Sequence, residues 1–219
     1  MTVERMGPVL VGVGASRRIV YSTPISMAVA DGPTSSDSGR DSVLSRLDAA
    51  DRRISRRISV DWPHPRWLAR LLGAFSLSGN YGMLWYALAL LPLLMGGRRP
   101  VATLVYVGVA VTAVELLGYV IKHFVGRHRP SVADPSLPNH IPLPVSKSFP
   151  SSHASMSVAA CWTLGTLYPQ WLPVLVITAA ALVFTRVYLG VHYVGDVVAG
   201  LLLGLVFGGL YVWLVPAPF

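Results

Sequence analysis

The chain has 219 residues, 53% hydrophobic and only 13% charged, with a mean hydropathy of +0.55, a combination that soluble globular domains rarely show and that points to a membrane. A single cysteine, Cys161, excludes an internal disulfide and a cysteine-based metal cluster. The formal charge of +8 would suggest nucleic acid as a partner of a soluble protein, but residues 1–70 hold 11 of the 18 basic residues and 7 of the 10 acidic ones, so no nucleic-acid partner is expected.

Residues 1–66 read as a polar, Arg-rich arm. The apolar stretch Val9–Val13 is too short to span, and Arg17–Arg18 interrupt it, so no signal peptide is assigned. From Asp31 to Arg57 the composition is Ser, Asp and Arg with few large apolar residues, which predicts a mobile arm until about Leu44. Between Leu44 and Ile58, Leu44, Leu47, Ile54 and Ile58 recur at roughly helical spacing among arginines. That pattern fits an amphipathic helix lying on anionic lipid headgroups and equally fits a solvated charged helix.

Residues 67–219 read as one transmembrane domain, because long apolar runs now alternate with short polar breaks and about 20 such residues cross the hydrocarbon core. The segments are Leu71–Met95, weakened by Ser76, Ser78, Gly79 and Asn80, then Val101–Ile121, His153–Tyr168, Leu172–Leu189 and Tyr193–Val215. The alternative for the first segment is a short re-entrant or interfacial helix, Trp67–Leu77, followed by a span, which makes the count six. The expected fold is an all-α integral membrane protein, a bundle of five to six transmembrane helices.

Glu115, Arg186 and Asp196 sit inside otherwise apolar segments, where a charge costs about 2.5–3.5 kcal/mol on insertion scales and marks a functional site by default. The alternative is a buried ion pair that orients helices. Lys122, Arg127 and Arg129 fall within eight positions at one membrane face, and each taken singly also suits headgroup anchoring. Pro130 ends any helix there, and Pro135, Pro138, Pro142 and Pro144 keep the following loop irregular.

Pro150-Ser151-Ser152-His153 precedes an apolar run and reads as a helix start, whose unpaired N–H groups and positive dipole end suit a phosphate oxygen. Next, Arg186 stands six residues before His192, with Gly190 between them as a helix break. A guanidinium binds phosphate oxygens bidentately. His192 and Asp196 are four apart, so on a continuous helix the carboxylate holds one imidazole nitrogen. No Glu or Cys stands nearby to complete a metal shell.

Together Lys122-x6-Arg129-Pro130, Pro150-Ser151-Ser152-His153 and Arg186-x5-His192-x3-Asp196, in this order and separated by apolar runs, closely resemble the three signature motifs of the type-2 phosphatidic acid phosphatase family. That family includes integral-membrane lipid phosphate phosphatases and, on a related soluble scaffold, vanadium haloperoxidases. The resemblance covers roughly Leu71 to Val215. Ser152 stands where the family usually has glycine, giving up access to positive φ, and Thr185 stands where serine is usual.

The resemblance implies that His192 attacks phosphorus to form a phosphohistidine, that Asp196 orients it, and that His153 protonates the leaving alkoxide and then activates water. It further implies that Lys122, Arg129 and Arg186, with the N–H groups around Ser151 and Ser152, hold the phosphate oxygens without a metal or other cofactor. The implied substrate is a lipid phosphate within the bilayer: a polyprenyl phosphate or diphosphate, a polyprenyl-linked sugar phosphate, phosphatidate or phosphatidylglycerophosphate. The other readings are a lipid-to-lipid phosphotransferase and a non-catalytic transport or scaffold relative; haloperoxidase activity ranks last, because those enzymes are soluble.

The resemblance also implies a multi-pass protein of a bacterial inner membrane. With six spans the site faces outward, as in many relatives, and that is the expectation; with five, the positive-inside rule puts the site and the arginines of residues 52–70 in the cytoplasm. Glu115 lies outside the signature, two turns from Lys122 on nearly the same face, where it either pairs with a neighbour or lines the lipid access route.

Overall fold

The structure, a computed structural model, describes residues 38–95, 99–138 and 140–218. The stretches Val9–Val13 and Arg17–Arg18, and the first part of the expected mobile arm, lie outside them. The described secondary structure is helical throughout: α1 (Ser38–Arg56), α2 (Arg66–Ser78), α3 (Met83–Leu94), α4 (Pro100–Val125), the single turn α5 (Pro130–Ala133), α6 (Ser152–Leu167), α7 (Leu172–Tyr188) and α8 (Val194–Leu214). A compact unit runs from Ser42 to the C-terminus, so it begins well before residue 67, where the transmembrane domain was expected to start.

Three segments, Pro100–Ala133, Pro169–Tyr188 and Val194–Leu214, are long and apolar enough to cross a bilayer. A fourth counts if the pair Arg66–Ser78 and Asn80–Leu94, bent by 57°, is one span. The break in the expected first segment is made by Gly79–Gly82, with Gly82 at φ 74° and Tyr81 at φ 52°. The central helix is α6; its 16 residues rise only about 24 Å, short of the roughly 30 Å hydrocarbon core. It packs against α4, α7 and α8 through small side chains such as Ala154, Ser155, Ala159 and Ala160, which are fully buried.

In lipid, apolar surface gives helices no net reason to associate, so close backbone approach must supply the packing. Along α8, Gly200, Gly204 and Gly208 face α6. A Cβ at Gly204 would stand 2.6 Å from the Ser155 carbonyl oxygen, and one at Gly208 2.6 Å from Trp162 Cδ1. Only glycine permits that seam.

The helix α2 does not span. At its start His64 Nε2 lies 2.9 Å from the Tyr188 carbonyl oxygen, and at its end Ser76 hydrogen-bonds with Arg186 and His153. Arg186 and Tyr188 belong to the same last turn of α7, so both ends of α2 sit at one level and the helix lies across that end of the bundle. At the opposite end the Arg99 guanidinium donates to the Pro218 carbonyl, and Tyr106 Oη donates to the Val215 carbonyl at 3.2 Å.

The first helix forms where the arm was expected to become amphipathic, and it docks on the protein through its polar face. Val43, Leu44, Leu47 and Ile54 are exposed, while Ser55 is buried and Asp51 largely so. The polar face meets the loop before α8, because that is where unpaired helix N–H groups need acceptors.

Candidate active site

Five elements converge at the α2 end. Lys122 comes from the last turn of α4, Arg129 from the loop after it, His153 from the first turn of α6, Arg186 from the last turn of α7, and His192 from the turn before α8. Each is no more than 7% exposed, and all five line one cavity of about 640 Å³, which Ser152 also lines. Gly190, at φ 72°, makes the break that turns the chain from α7 into the His192 loop.

Each cation is held by backbone or hydroxyl acceptors. Lys122 Nζ donates to the Pro150 carbonyl, and Arg186 donates to Ser76 Oγ. Arg129 Nε donates to the Ser146 carbonyl at 2.8 Å, and its Nη1 donates to the Val191 carbonyl at 2.8 Å and to His192 Nε2 at 3.1 Å. A guanidinium has no acceptor, so Nε2 of His192 carries a lone pair and the ring proton sits on Nδ1. His192 Nδ1 faces Asp196 Oδ2 at 3.5 Å. Burial first, then Arg129, Arg186 and Lys122, hold the His192 pKa well below its ordinary 6.5, with the Ser148 backbone acting in the opposite direction.

Two expectations change. His192 and Asp196 do not share a continuous helix: His192 precedes α8, and Asp196, in its first turn, accepts the Tyr193 N–H at 2.9 Å. The pair meets because the carboxylate folds back as a cap, not through helical periodicity. Ser151 is also not free to bind an anion through its backbone, since its N–H donates to the Asp196 carbonyl at 2.9 Å. Ser152 is the first residue of α6 and is absent from the positive-φ residues, so its position does not require the glycine usual in the family.

Ser76, Arg127, Asp48, Asp51 and Ser55 were not read from the sequence as contributors to the site. Ser76 accepts from Arg186 through its hydroxyl, and its carbonyl lies 3.2 Å from His153 Nε2. Arg127, read as a headgroup anchor, donates to Asp196 Oδ1 at 2.8 Å, Asp48 Oδ1 at 2.9 Å and Asp51 Oδ2 at 2.7 Å. Asp51 in turn accepts the Gly195 N–H at 2.8 Å, and Ser55 Oγ accepts the Val194 N–H at 2.9 Å. The available signal was Asp48, Asp51 and Ser55 at positions i, i+3 and i+7, a polar stripe along one face of the first helix. Glu115 lines the cavity. Among the described residues no three His, Cys, Asp or Glu side chains converge on a metal position.

Fold and site together define a class: a membrane helical bundle with three cations and two histidines around one cavity at the end of its helices. The chain belongs to the PAP2 superfamily, whose model matches residues 103–219. It is 34% identical over 151 residues to a decaprenylphosphoryl-5-phosphoribose phosphatase of Mycobacterium tuberculosis, covering 69% of this chain and 81% of that protein. An undecaprenyl-diphosphatase of Sulfolobus acidocaldarius is 33% identical over 141 residues, 63% of this chain and 67% of that one. The fold is shared with the PAP2-type phosphatidylglycerolphosphate phosphatase of Bacillus subtilis, with a TM-score of 0.60 at 23% identity, covering 77% of this chain and 86% of that structure.

Proposed function

We propose that the chain is a lipid phosphatase of a bacterial inner membrane, hydrolysing a phosphate mono- or diphosphate ester of a lipid through a phosphohistidine on His192. The observation that carries the reading is the lone pair of His192 Nε2 on the wall of a cavity that Lys122, Arg129, Arg186 and His153 also line. A phosphoryl group entering there replaces Nε2 as the acceptor of the Arg129 proton. Lys122, Arg129, Arg186 and the Ser152 N–H then hold its oxygens as charge moves onto them. Nε2 bonds to phosphorus, and His153 delivers a proton to the departing alkoxide oxygen. Water, losing its proton to His153, then attacks the phosphohistidine and releases inorganic phosphate. Asp196 holds the Nδ1 proton throughout. No metal is used, since the three cations supply the positive charge.

The path in this reading has five spans, α3, α4, α6, α7 and α8, with α1 and α2 at the site's end. Seven arginines of α1, the turn after it and α2 (Arg46, Arg52, Arg53, Arg56, Arg57, Arg66 and Arg70) then share the site's side, and Arg99 lies at the other end. In this reading the positive-inside rule favours a cytoplasmic site, the alternative to the outward orientation of the six-span count.

The test is phosphate release by detergent-purified protein, with EDTA present, from a panel of a polyprenyl phosphate, a polyprenyl diphosphate, a polyprenyl-linked sugar phosphate, phosphatidate and phosphatidylglycerophosphate. Release that persists in EDTA and falls by about a thousandfold or more in His192→Ala is expected. Loss of activity to EDTA, or activity surviving His192→Ala, overturns the mechanism.

A further inference from the structure

The cavity extends beyond the phosphate position. On α4, Glu115 stands seven residues before Lys122, about 10 Å further along the helix. Glu115, Asn80 and Tyr119 line the cavity on this side, with Tyr81 and Tyr119, 76% and 65% exposed, at its rim. None of the three makes a hydrogen bond to a described residue. This differs from the cation end, where Lys122, Arg129 and Arg186 all donate to the protein. Glu115 feels the charge of Lys122 but makes no direct ion pair with a described cation, and Lys122 Nζ donates to the Pro150 carbonyl. Tyr81, at φ 52°, keeps a conformation that a non-glycine residue adopts only at a cost.

We propose that Glu115, with Asn80 and Tyr119, forms a subsite for hydroxyl groups, so that the substrate carries its phosphate on a hydroxylated head, a sugar or a glycerol, placed between phosphate and lipid tail. The proposal rests on the phosphatase reading above. A polyprenyl monophosphate has its first isoprene unit where these polar groups stand, leaving a carboxylate and an amide against hydrocarbon. A hydroxylated head instead donates to Glu115 and exchanges hydrogen bonds with Asn80 and Tyr119.

Turnover is compared in the parent and Glu115→Gln for a polyprenyl-linked ribose 5-phosphate, phosphatidylglycerophosphate, phosphatidate and farnesyl phosphate. The variant is expected to lose tenfold or more in kcat/KM on one or both hydroxylated substrates and to stay within twofold on the other pair; the ribose and glycerol arms tell the two heads apart. Equal losses on both classes, or none on either, overturn the subsite. A second measurement needs no turnover: ribose 5-phosphate should raise the Tm of the parent at a lower concentration than butyl phosphate does, and Glu115→Leu should abolish that preference. If the preference is seen while no lipid is hydrolysed, the phosphatase reading fails and the subsite stands; if the parent shows no preference, the subsite fails.

A separate set of contacts carries a second inference. The carboxylate that faces His192 is itself held by Arg127, and Arg127 by Asp51 of α1. Asp51 also caps Gly195, where a Cβ would stand 2.7 Å from its Oδ2. We infer that Asp51 and Arg127 are positioning residues, through which α1 sets the Asp196 carboxylate and hence the His192 ring. Asp51→Ala is expected to lower kcat tenfold or more with KM within threefold, and Asp51→Glu to restore most of it; monodispersity and Tm, checked in parallel with the milder Asp51→Asn, separate this from misfolding. A folded Asp51→Ala protein with unchanged kcat, or one whose KM moves instead, overturns the inference.

Discussion

The imidazole of His192 is held neutral by its surroundings, and this fixes how the protein should respond to acid. Its folded pKa lies well below 6.5, from burial first and then the cations around it, whereas in the unfolded chain it titrates near 6.5. Below that value the unfolded state binds the extra proton, so stability falls as pH drops from 6.5 toward the folded pKa. The acid limb of kcat/KM should therefore lie below pH 6.5, and the fall of Tm on acidification should be shallower in His192→Ala. A limb at or above pH 7 would contradict the neutral, buried ring. Ser76 allows a second prediction: Ser76→Ala leaves the Arg186 guanidinium without its hydroxyl acceptor, which costs about 1–3 kcal/mol for a buried group. It should lower both Tm and turnover. Nothing in the sequence distinguished Ser76 from Ser78, because a carbonyl and a hydroxyl aimed at two other helices leave no local pattern. Arg186 and Asp196, by contrast, were legible because charges inside apolar runs are rare enough to stand out, whereas Lys122, Arg129 and the two histidines were legible only through the ordered set of motifs.

At the scale of elements, α4, α7 and α8 lie within a few residues of their predicted limits, since long apolar runs bounded by prolines and glycines have only one way to be helical. The first segment did not resolve this way. Its Ser76, Ser78, Gly79 and Asn80 mark a change of direction, and the orientation of α2 depends on contacts with α7 that are more than a hundred residues distant in sequence. The first helix was legible as a helix, but the docking of its polar face was not, because Asp48 and Asp51 meet Arg127 more than seventy residues away in sequence. The seam between α6 and α8 gives the third prediction. Gly204→Val forces two backbones apart and is expected to destabilise by about 1–3 kcal/mol, as overpacking does, read as a lower Tm in detergent. An unchanged Tm would show that the helices can separate without loss.

For the whole molecule, the proposed sidedness rests on which elements share an end. Val145, fully exposed on the catalytic loop, is a suitable probe: in a Cys161→Ser background, Val145→Cys should resist an impermeant thiol reagent in intact cells and react in inverted vesicles. Labelling of intact cells would place the site outside, together with the arginines of α1 and α2. Either result also identifies the leaflet nearest the cavity, which lies at the same end.

Asp196, Gly200, Gly204 and Gly208 are successive members of one four-residue series along α8. The seam that brings α8 against α6 therefore also acts as a gauge for the carboxylate at its top. If α8 slid by one residue, Asp196 would move about 1.5 Å along the axis and turn about 100° away from His192. No such slip is possible while three glycines in register each face a fixed point on α6. Mutations far from the chemistry, near the opposite end of the bundle, can thus detune catalysis without touching a reacting group, and the sensitivity should recur every fourth residue down the helix.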